Sequence, residues 1–324
     1  MQKEHTIIVG GGPCGMSCAI ELQNHNIKPL IIEKENIVNT IYNFPTHQTF
    51  FSSSEKLEIG NVAFITENQK PVRNQALAYY RSVAERAKLR VNPYEKVLKI
   101  EKKNANFIVT TSTSDQVTEY EAKNVIIATG YYDQPNYMNI PGEKLDKVMH
   151  YFKEAHPYFN KNVVVIGGKN SAVDATLELY KAGANITVLY RGNTYSKSVK
   201  PWILPEFDAL VRKEKVQMEF NAEVSEITKE KVFYKVNNEL KSISNDFVFA
   251  MTGYKPDQDF LQGSGIEINE QDGRPKFNDK TLETNVPGVY IAGVIAAGYN
   301  NNEIFIENGR HHGKLIAEAI VKNN

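Results

Sequence analysis

The sequence predicts an α/β fold of two doubly wound, three-layer nucleotide-binding domains, the second inserted into the first. Three features lead there. A strand, glycine turn, helix and strand open the chain; the same pattern restarts at Asn162; and a strand and helix are left over at the C-terminus once the second unit is complete. A length of 324 residues with 41% apolar content suits about two cores on a prior of ~150 residues per domain.

The first strand is expected at residues 5–9, the glycine turn at 10–15, the helix at 16–24 and the next strand at 29–33. A loop rich in aromatics and hydroxyls spans 42–54, and a charged helix follows at 74–87. Alternating strands at 96–100 and 106–111 predict a β-meander laid across the first unit. The wholly apolar run 125–128 has the character of a buried parallel strand. The second unit then reads as a strand at 163–166, a turn at 167–172, a helix to Lys181 and a strand at 186–190, ending with a strand at 247–250. A buried strand at 289–292 and a helix at 301–322 return to the first domain. The expected order is residues 1–154, an insert over 155–252, and completion over 253–324.

Lys plus Arg equals Asp plus Glu at 38 each, so no overall field draws the chain to nucleic acid or to an acidic membrane. No apolar stretch nears the ~18 residues of a membrane span. The two cysteines, Cys14 and Cys18, fall in one expected helix, which argues against a disulfide framework and for a reducing, cytoplasmic compartment. No metal centre is expected.

Gly10-x-Gly12-x-x-Gly15 follows a strand and opens a helix, the context that makes this pattern meaningful. The first glycine allows the turn, the second lets backbone approach a pyrophosphate, and the third packs helix on strand. The helix N-terminus offers amides to the phosphates. Glu33 ends the second strand, placed to accept from a ribose. This makes the unit Rossmann-like. The second turn is degenerate: Lys169 takes the slot of the middle glycine and Ala172 that of the last, with Asn170 and Ser171 between them. Arg191, with Lys197 and Lys200 behind it, stands where a carboxylate would select NADH, so NADPH is favoured; a solvated basic loop is the bland alternative.

The Gly10–Gly15 turn, the Ala128-Thr129-Gly130 strand end, the second turn and Pro287-Gly288-Val289-Tyr290-Ile291-Ala292-Gly293 together resemble the two-dinucleotide-binding flavoproteins, thioredoxin-reductase-like in length. Within that group, Gly12-Pro13-Cys14-Gly15, the loop containing Thr46-His47-Gln48-Thr49-Phe50-Phe51, residues 150–157 and Lys200-Pro201-Trp202 are similar to the bacillithiol disulfide reductases, also called bacilliredoxin reductases. The resemblance implies FAD in the first domain, at Gly10, Gly12, Pro13, Cys14, Gly15, Glu33, Lys34, His47, Gln48, Val97, Thr129, Gly130, Gly293 and Val294. It implies NADPH in the insert, at Gly167, Lys169, Asn170, Ser171, Arg191 and Lys197. The implied substrate is oxidised bacillithiol or a bacilliredoxin-linked thiol system, and related folds are often homodimers or higher oligomers. Against the wider thioredoxin reductase pattern, His150-Tyr151-Phe152-Lys153 replaces a Cys-x-x-Cys, and Ala292-Gly293-Val294 replaces an Ala-Gly-Asp that touches the flavin side chain.

Flavin and nicotinamide carry the hydride step, so the open question is how electrons leave the flavin. Cys14 is the candidate: a helix N-terminus stabilises a thiolate, although a neighbouring pyrophosphate opposes one and a small residue is wanted there anyway. Cys18, at i+4, reads as packing. His47 and Gln48 either donate to the flavin ring or tie the loop. Lys153, Arg73, Arg310, His311 and His312 are the cations available to the carboxylates of bacillithiol. Trp202 reads as a surface anchor, and Glu307 either as a residue near the flavin or, more simply, as a solvated helix face. Three rivals stay open: a ferredoxin or flavodoxin reductase, a flavin monooxygenase, and a redox-sensing module that binds both nucleotides without turnover.

Overall fold

The structure, a computed structural model, describes residues 1–300 and 302–323. Two compact units emerge, Met1–Gln134 with Tyr254–Asn324, and Pro135–Gly253. In chain order the first contributes β1 (Gln2–Val9), α1 (Pro13–Asn24), β2 (Leu30–Ile32), α2 (Asn39–Asn43), α3 (Arg73–Arg86), β3 (Arg90–Asn92), β4 (Lys96–Lys103), β5 (Asn106–Ser112) and β6 (Val117–Ile127). The second holds β7 (Val148–Met149), β8 (Asn162–Ile166), α4 (Asn170–Lys181), β9 (Asn185–Tyr190), α5 (Leu204–Arg212), β10 (Gln217–Phe220), β11 (Ala222–Ile227), β12 (Lys231–Val236), β13 (Glu239–Ser244) and β14 (Phe247–Ala250). The chain returns to the first with α6 (Gln258–Gly263), β15 (Val289–Ile291), α7 (Ile306–Gly309) and α8 (His312–Lys322).

The sheet of the first unit runs β3-β2-β1-β6-β5-β4, with β15 also on β6. β1, β2, β3 and β15 pair parallel in this sheet, while β4, β5 and β6 form an antiparallel meander. Successive side chains of a strand face opposite ways, and the cores divide accordingly. Ile8, Ile31, Ile126 and Tyr290 join α1, α3 and α8 on one face. Ile7, Val9, Ile32, Val125, Ile127 and Ile291 pack on the other with Val97, Ile100, Phe107 and Val109 of the meander. The meander does lie across the unit, and its third strand is β6 itself, which is also a central parallel strand.

The second unit repeats the plan. Its parallel sheet runs β10-β9-β8-β14-β7. Val163, Val165, Val188 and Phe249 face the core with α4 and α5, while Val164, Ile166, Leu189 and Val248 face Val232, Tyr234 and Val236 of the antiparallel sheet β11-β12-β13.

Two expectations are corrected. The 154/155 boundary falls inside the second unit, because the two-residue strand β7 hydrogen-bonds to β14 and carries the preceding loop with it. The expected last helix is two, α7 and α8, separated at Arg310 and His311; its expected start, Asn301, lies outside the described residues. α8 approaches α1 so closely that a Cβ on Gly313 would lie 2.9 Å from the Cys18 nitrogen. Among the described residues no helix is long and apolar enough to cross a membrane, and no group of His, Cys, Asp or Glu could hold a metal ion.

Candidate functional site

The β1–α1 turn shows why its three glycines differ. Gly10 has φ +107°, and a Cβ there would lie 2.5 Å from the Ala128 carbonyl oxygen at the end of β6. A Cβ on Gly15 would lie 2.1 Å from the Gly10 oxygen, so helix and strand touch through bare backbone. A Cβ on Gly12 would meet nothing within 4 Å. That open side fits the close approach of a dinucleotide pyrophosphate. Gly12 is the N-cap and supplies no capping side chain; Pro13 at N1 has no N–H to leave unpaired, and the following amides face outward as an anion site.

Glu33, one residue past β2, is buried and accepts from the Gly11 amide at 2.6 Å and from the Glu35 amide at 3.0 Å. Burial raises its pKa despite these two bonds. The carboxylate thus clamps the glycine turn to the strand end, a task the sequence did not reveal. Replacing it with glutamine puts an NH2 against one of the two amides, at a cost of about 1–3 kcal/mol for a buried donor left unmet. The melting temperature of Glu33→Gln is expected to fall by several degrees, together with flavin retention; unchanged values for both would show that the clamp is idle.

Cys14 is half-buried at the second position of α1, against two glycines. A Cβ on Gly293 or Gly309 would come 3.1 and 3.0 Å from its Sγ. Burial pushes the thiol up to about 12, opposite in direction to the thiolate stabilisation a helix N-terminus offers. Cys18 is fully buried, its pKa also raised by burial; both cysteines are free. Gly293, with φ +78°, donates its amide to Nδ1 of His312 at 3.1 Å, and Val294 beside it is half-buried.

The other residues expected at FAD divide. Thr129 and Gly130 follow β6, with open space over Gly130. Val97 has its side chain in the core, and only backbone of edge strand β4 is left to meet a ligand. Lys34 pairs with Asp133 at 2.8 Å. His47 is exposed, while the Gln48 side chain donates to the Thr49 carbonyl and its own carbonyl accepts from the Arg73 amide. The aromatic loop is a packing cluster, Phe44 lying 5.5 Å from Tyr132 and Tyr132 4.6 Å from Tyr254.

Besides His312, which accepts from Gly293, two more of the expected cations are committed elsewhere. Arg73 is buried and donates to the Tyr42 carbonyl, and Arg310 donates to the carbonyls of Glu55 and Glu58. Glu307 accepts from the Ser52 hydroxyl at 2.8 Å rather than standing free in solvent.

In the second turn, Gly167 has φ +137° and lies against the Met251 carbonyl, while Lys169 is the N-cap of α4 without a capping side chain. Gly168 is required by a residue that sequence reasoning missed: a Cβ there would fall 2.4 Å from the ring of Tyr190. Asn170 spends its side chain on the loop, donating to Ser198 and accepting from the Lys200 amide, which leaves its own backbone for a phosphate. Ser171, Arg191 and Lys197 are exposed. Asp174, one turn along α4, was also passed over; burial, then Glu178, pushes its carboxyl up to about 6. Trp202 is 53% exposed with the Lys200 ammonium 5.9 Å from its ring.

Two glycine turns, each opening a helix beside a parallel sheet, define a two-dinucleotide-binding oxidoreductase. Comparison with known proteins agrees. The sequence matches the family described as pyridine nucleotide-disulphide oxidoreductase over residues 7–293. Bacilliredoxin reductase Bdr of Bacillus subtilis (strain 168) is 64% identical over 324 residues, 99% of each chain. Among solved structures, bacillithiol disulfide reductase Bdr (YpdA) from Bacillus cereus superposes with a TM-score of 0.99 at 62% identity, and that from Staphylococcus aureus with 0.96 at 58%, each over 100% of both chains. The chain belongs to the pyridine nucleotide-disulphide oxidoreductase family and, within it, to the bacilliredoxin reductases. It is an oxidoreductase that works with a flavin and a nicotinamide nucleotide, which sets aside the sensing module without turnover.

Proposed function

We propose that this enzyme moves electrons from NADPH through FAD to the disulfide of a low-molecular-weight thiol, oxidised bacillithiol above all, in the cytoplasm. The balance is NADPH, one proton and one disulfide giving NADP⁺ and two thiols. When bound, the two cofactors supply the hydride transfer. The chain does the rest. Gly12 and the first amides of α1 hold the FAD pyrophosphate, the turn that Glu33 clamps presents the ribose site, and Arg191 with Lys197 takes the 2′-phosphate of NADPH.

One observation carries the acceptor. The segment that holds a dithiol in thioredoxin reductases reads His150-Tyr151-Phe152-Lys153, and the chain's two thiols lie instead on α1, with Cys14 beside the flavin turn. A disulfide has to be met there, at the thiol of Cys14 or at the flavin itself. The relatives named as bacillithiol disulfide reductases at 62% and 58% identity support the thiol class.

Anaerobic NADPH is expected to bleach the flavin, and oxidised bacillithiol to restore its colour while ferredoxin does not. Recovery with ferredoxin or air alone would refute the disulfide reading. Cys14→Ala is expected to keep flavin and NADPH bleaching while disulfide turnover falls by about two orders of magnitude, as when a covalent nucleophile is removed. Full turnover would clear Cys14 and assign the step to the flavin directly.

A further inference from the structure

We propose that His312 is a positioning residue for the Cys14 thiol, acting through the amide of Gly293. The inference rests on the proposed disulfide reduction for its use, but its geometry stands apart from that reading. Ala292, one residue past β15, still donates its amide to the Ile127 carbonyl and so continues the ladder. At Gly293, a buried residue, the chain turns to φ +78° and the amide leaves the ladder; its acceptor is a side chain, Nδ1 of His312, at 3.1 Å. The same glycine stands against Cys14, where a Cβ would lie 3.1 Å from both Cβ and Sγ of the cysteine. Any rotation of the Gly293 peptide therefore moves the wall on which the thiol rests. His312 is itself held, because it opens α8 at the point where Gly313 meets the backbone of Ser17 and Cys18 on α1.

An imidazole nitrogen accepts a hydrogen bond only when it carries no proton. The Gly293 bond thus requires neutral His312 with its proton on Nε2, and protonation would set Nδ1–H against N–H. Burial, and then neighbouring His311, hold the His312 pKa below 6.5, in keeping with the neutral ring. The groups around it do not offset this. α1 presents the thiols of Cys14 and Cys18 and, a turn further on beside Cys18, the Glu21 carboxylate; Arg310, in the turn before α8, points to the Glu55 and Glu58 carbonyls; and Tyr290, the one ionisable residue of β15, is engaged with Glu283 and Asn323. A pKa lowered by folding means that the bond is intact above 6.5 and is lost as pH falls from 6.5 through the folded value.

The test uses the flavin-loaded enzyme and two variants. His312→Phe keeps the bulk and removes the acceptor; His312→Asn keeps an acceptor oxygen near the place of Nδ1 and does not titrate. Iodoacetamide labelling, with fragment mapping to separate Cys14 from Cys18, reads the thiol without any disulfide substrate. At pH above 6.5 His312→Phe is expected to label Cys14 about tenfold faster and to reduce disulfide about tenfold more slowly, the scale of a buried amide left without its acceptor. Flavin bleaching by NADPH should stay within about twofold, since the bond does not touch the nicotinamide half. His312→Asn should recover most of both losses. Below 6.5, wild-type labelling of Cys14, corrected with a free-thiol control, should rise relative to that of His312→Asn. Unchanged labelling in His312→Phe, damage in His312→Asn equal to that in His312→Phe, or an acid limb shared by wild type and His312→Asn would each overturn the proposal. Should His312→Phe not fold, the acid limb decides alone. Wild type that labels as expected but leaves oxidised bacillithiol untouched would sink the proposed function and spare the positioning role.

Discussion

Gly15→Ala is expected to yield a destabilised protein without flavin, whereas Gly12→Ala, three residues earlier, should fold normally and still lose its flavin. At Gly15 the new methyl would sit 2.1 Å from the Gly10 carbonyl oxygen and 3.4 Å from the Ala128 Cβ, backbone on one side and core on the other. Neither yields without moving α1 off the strand. Overpacking of this kind costs about 3 kcal/mol, and a unit of this size loses roughly 2–4 °C in melting temperature per kcal/mol, so a fall near 10 °C is expected. At Gly12 nothing lies within 4 Å, so the flavin-free protein should melt within about 1 °C of wild type. The methyl instead fills the path by which a pyrophosphate reaches the α1 amides, and flavin affinity should drop by about tenfold or more. Melting curves of the stripped proteins and flavin titrations measure the two effects. If Gly12→Ala retained wild-type affinity, the open side of that residue would not be where the nucleotide lies.

The contrast between these two positions also shows what the sequence could convey. The glycine spacing is local, and it places β1, α1, β2 and the two turns because the motif is written in neighbouring residues, although the carbonyls that crowd Gly10 and Gly167 come from Ala128 and Met251 far along the chain. The short strand β7 has no such reason. Val148 and Met149 are too few to show a period, and only pairing with β14, about 100 residues later, makes them a strand and shifts the unit boundary to Pro135. β13 was invisible for another cause: Glu239–Ser244 is exposed almost throughout, so no buried face alternates with a wet one. The break between α7 and α8 follows from tertiary packing, since Gly309 is brought against the Cys14 sulfur. The site divides in the same way. Gly10, Gly12, Gly15 and Glu33 were legible as a motif, but that both Glu33 oxygens hold amides was not. Arg73 and Arg310 were counted as free cations because charge is read from composition, whereas their carbonyl partners come from Tyr42 of α2 and from Glu55 and Glu58, distant in sequence. His312 was counted with them, and its real service, accepting a single amide, depends on a residue 19 positions away.

Arg191→Ala is expected to separate the two nicotinamide coenzymes. Arg191 follows the last residue of β9 and is exposed with Lys197, while the preceding Tyr190 lays its ring on Gly168 and Gly192 and so fixes the strand end independently of the arginine side chain. Removing the guanidinium should therefore leave the fold and the melting temperature as they are. A hydrogen bond to a charged group is worth about 1.5–3 kcal/mol, which corresponds to a rise of roughly 10–100-fold in KM for NADPH. kcat should change little, because the 2′-phosphate is bound equally before and during hydride transfer. NADH, which lacks that phosphate, should be used as before, and rising salt should weaken NADPH in wild type more than in the variant. Arg191→Glu goes further by placing a carboxylate where a ribose hydroxyl can donate to it, so its efficiency with NADH should rise as that with NADPH collapses. Equal losses with both coenzymes would mean that Arg191 serves a shared part of the ligand or the strand end, and the coenzyme preference would then have to come from Lys197 or Lys200. Only a loss confined to the coenzyme with the extra phosphate ties the charge at this position to coenzyme choice.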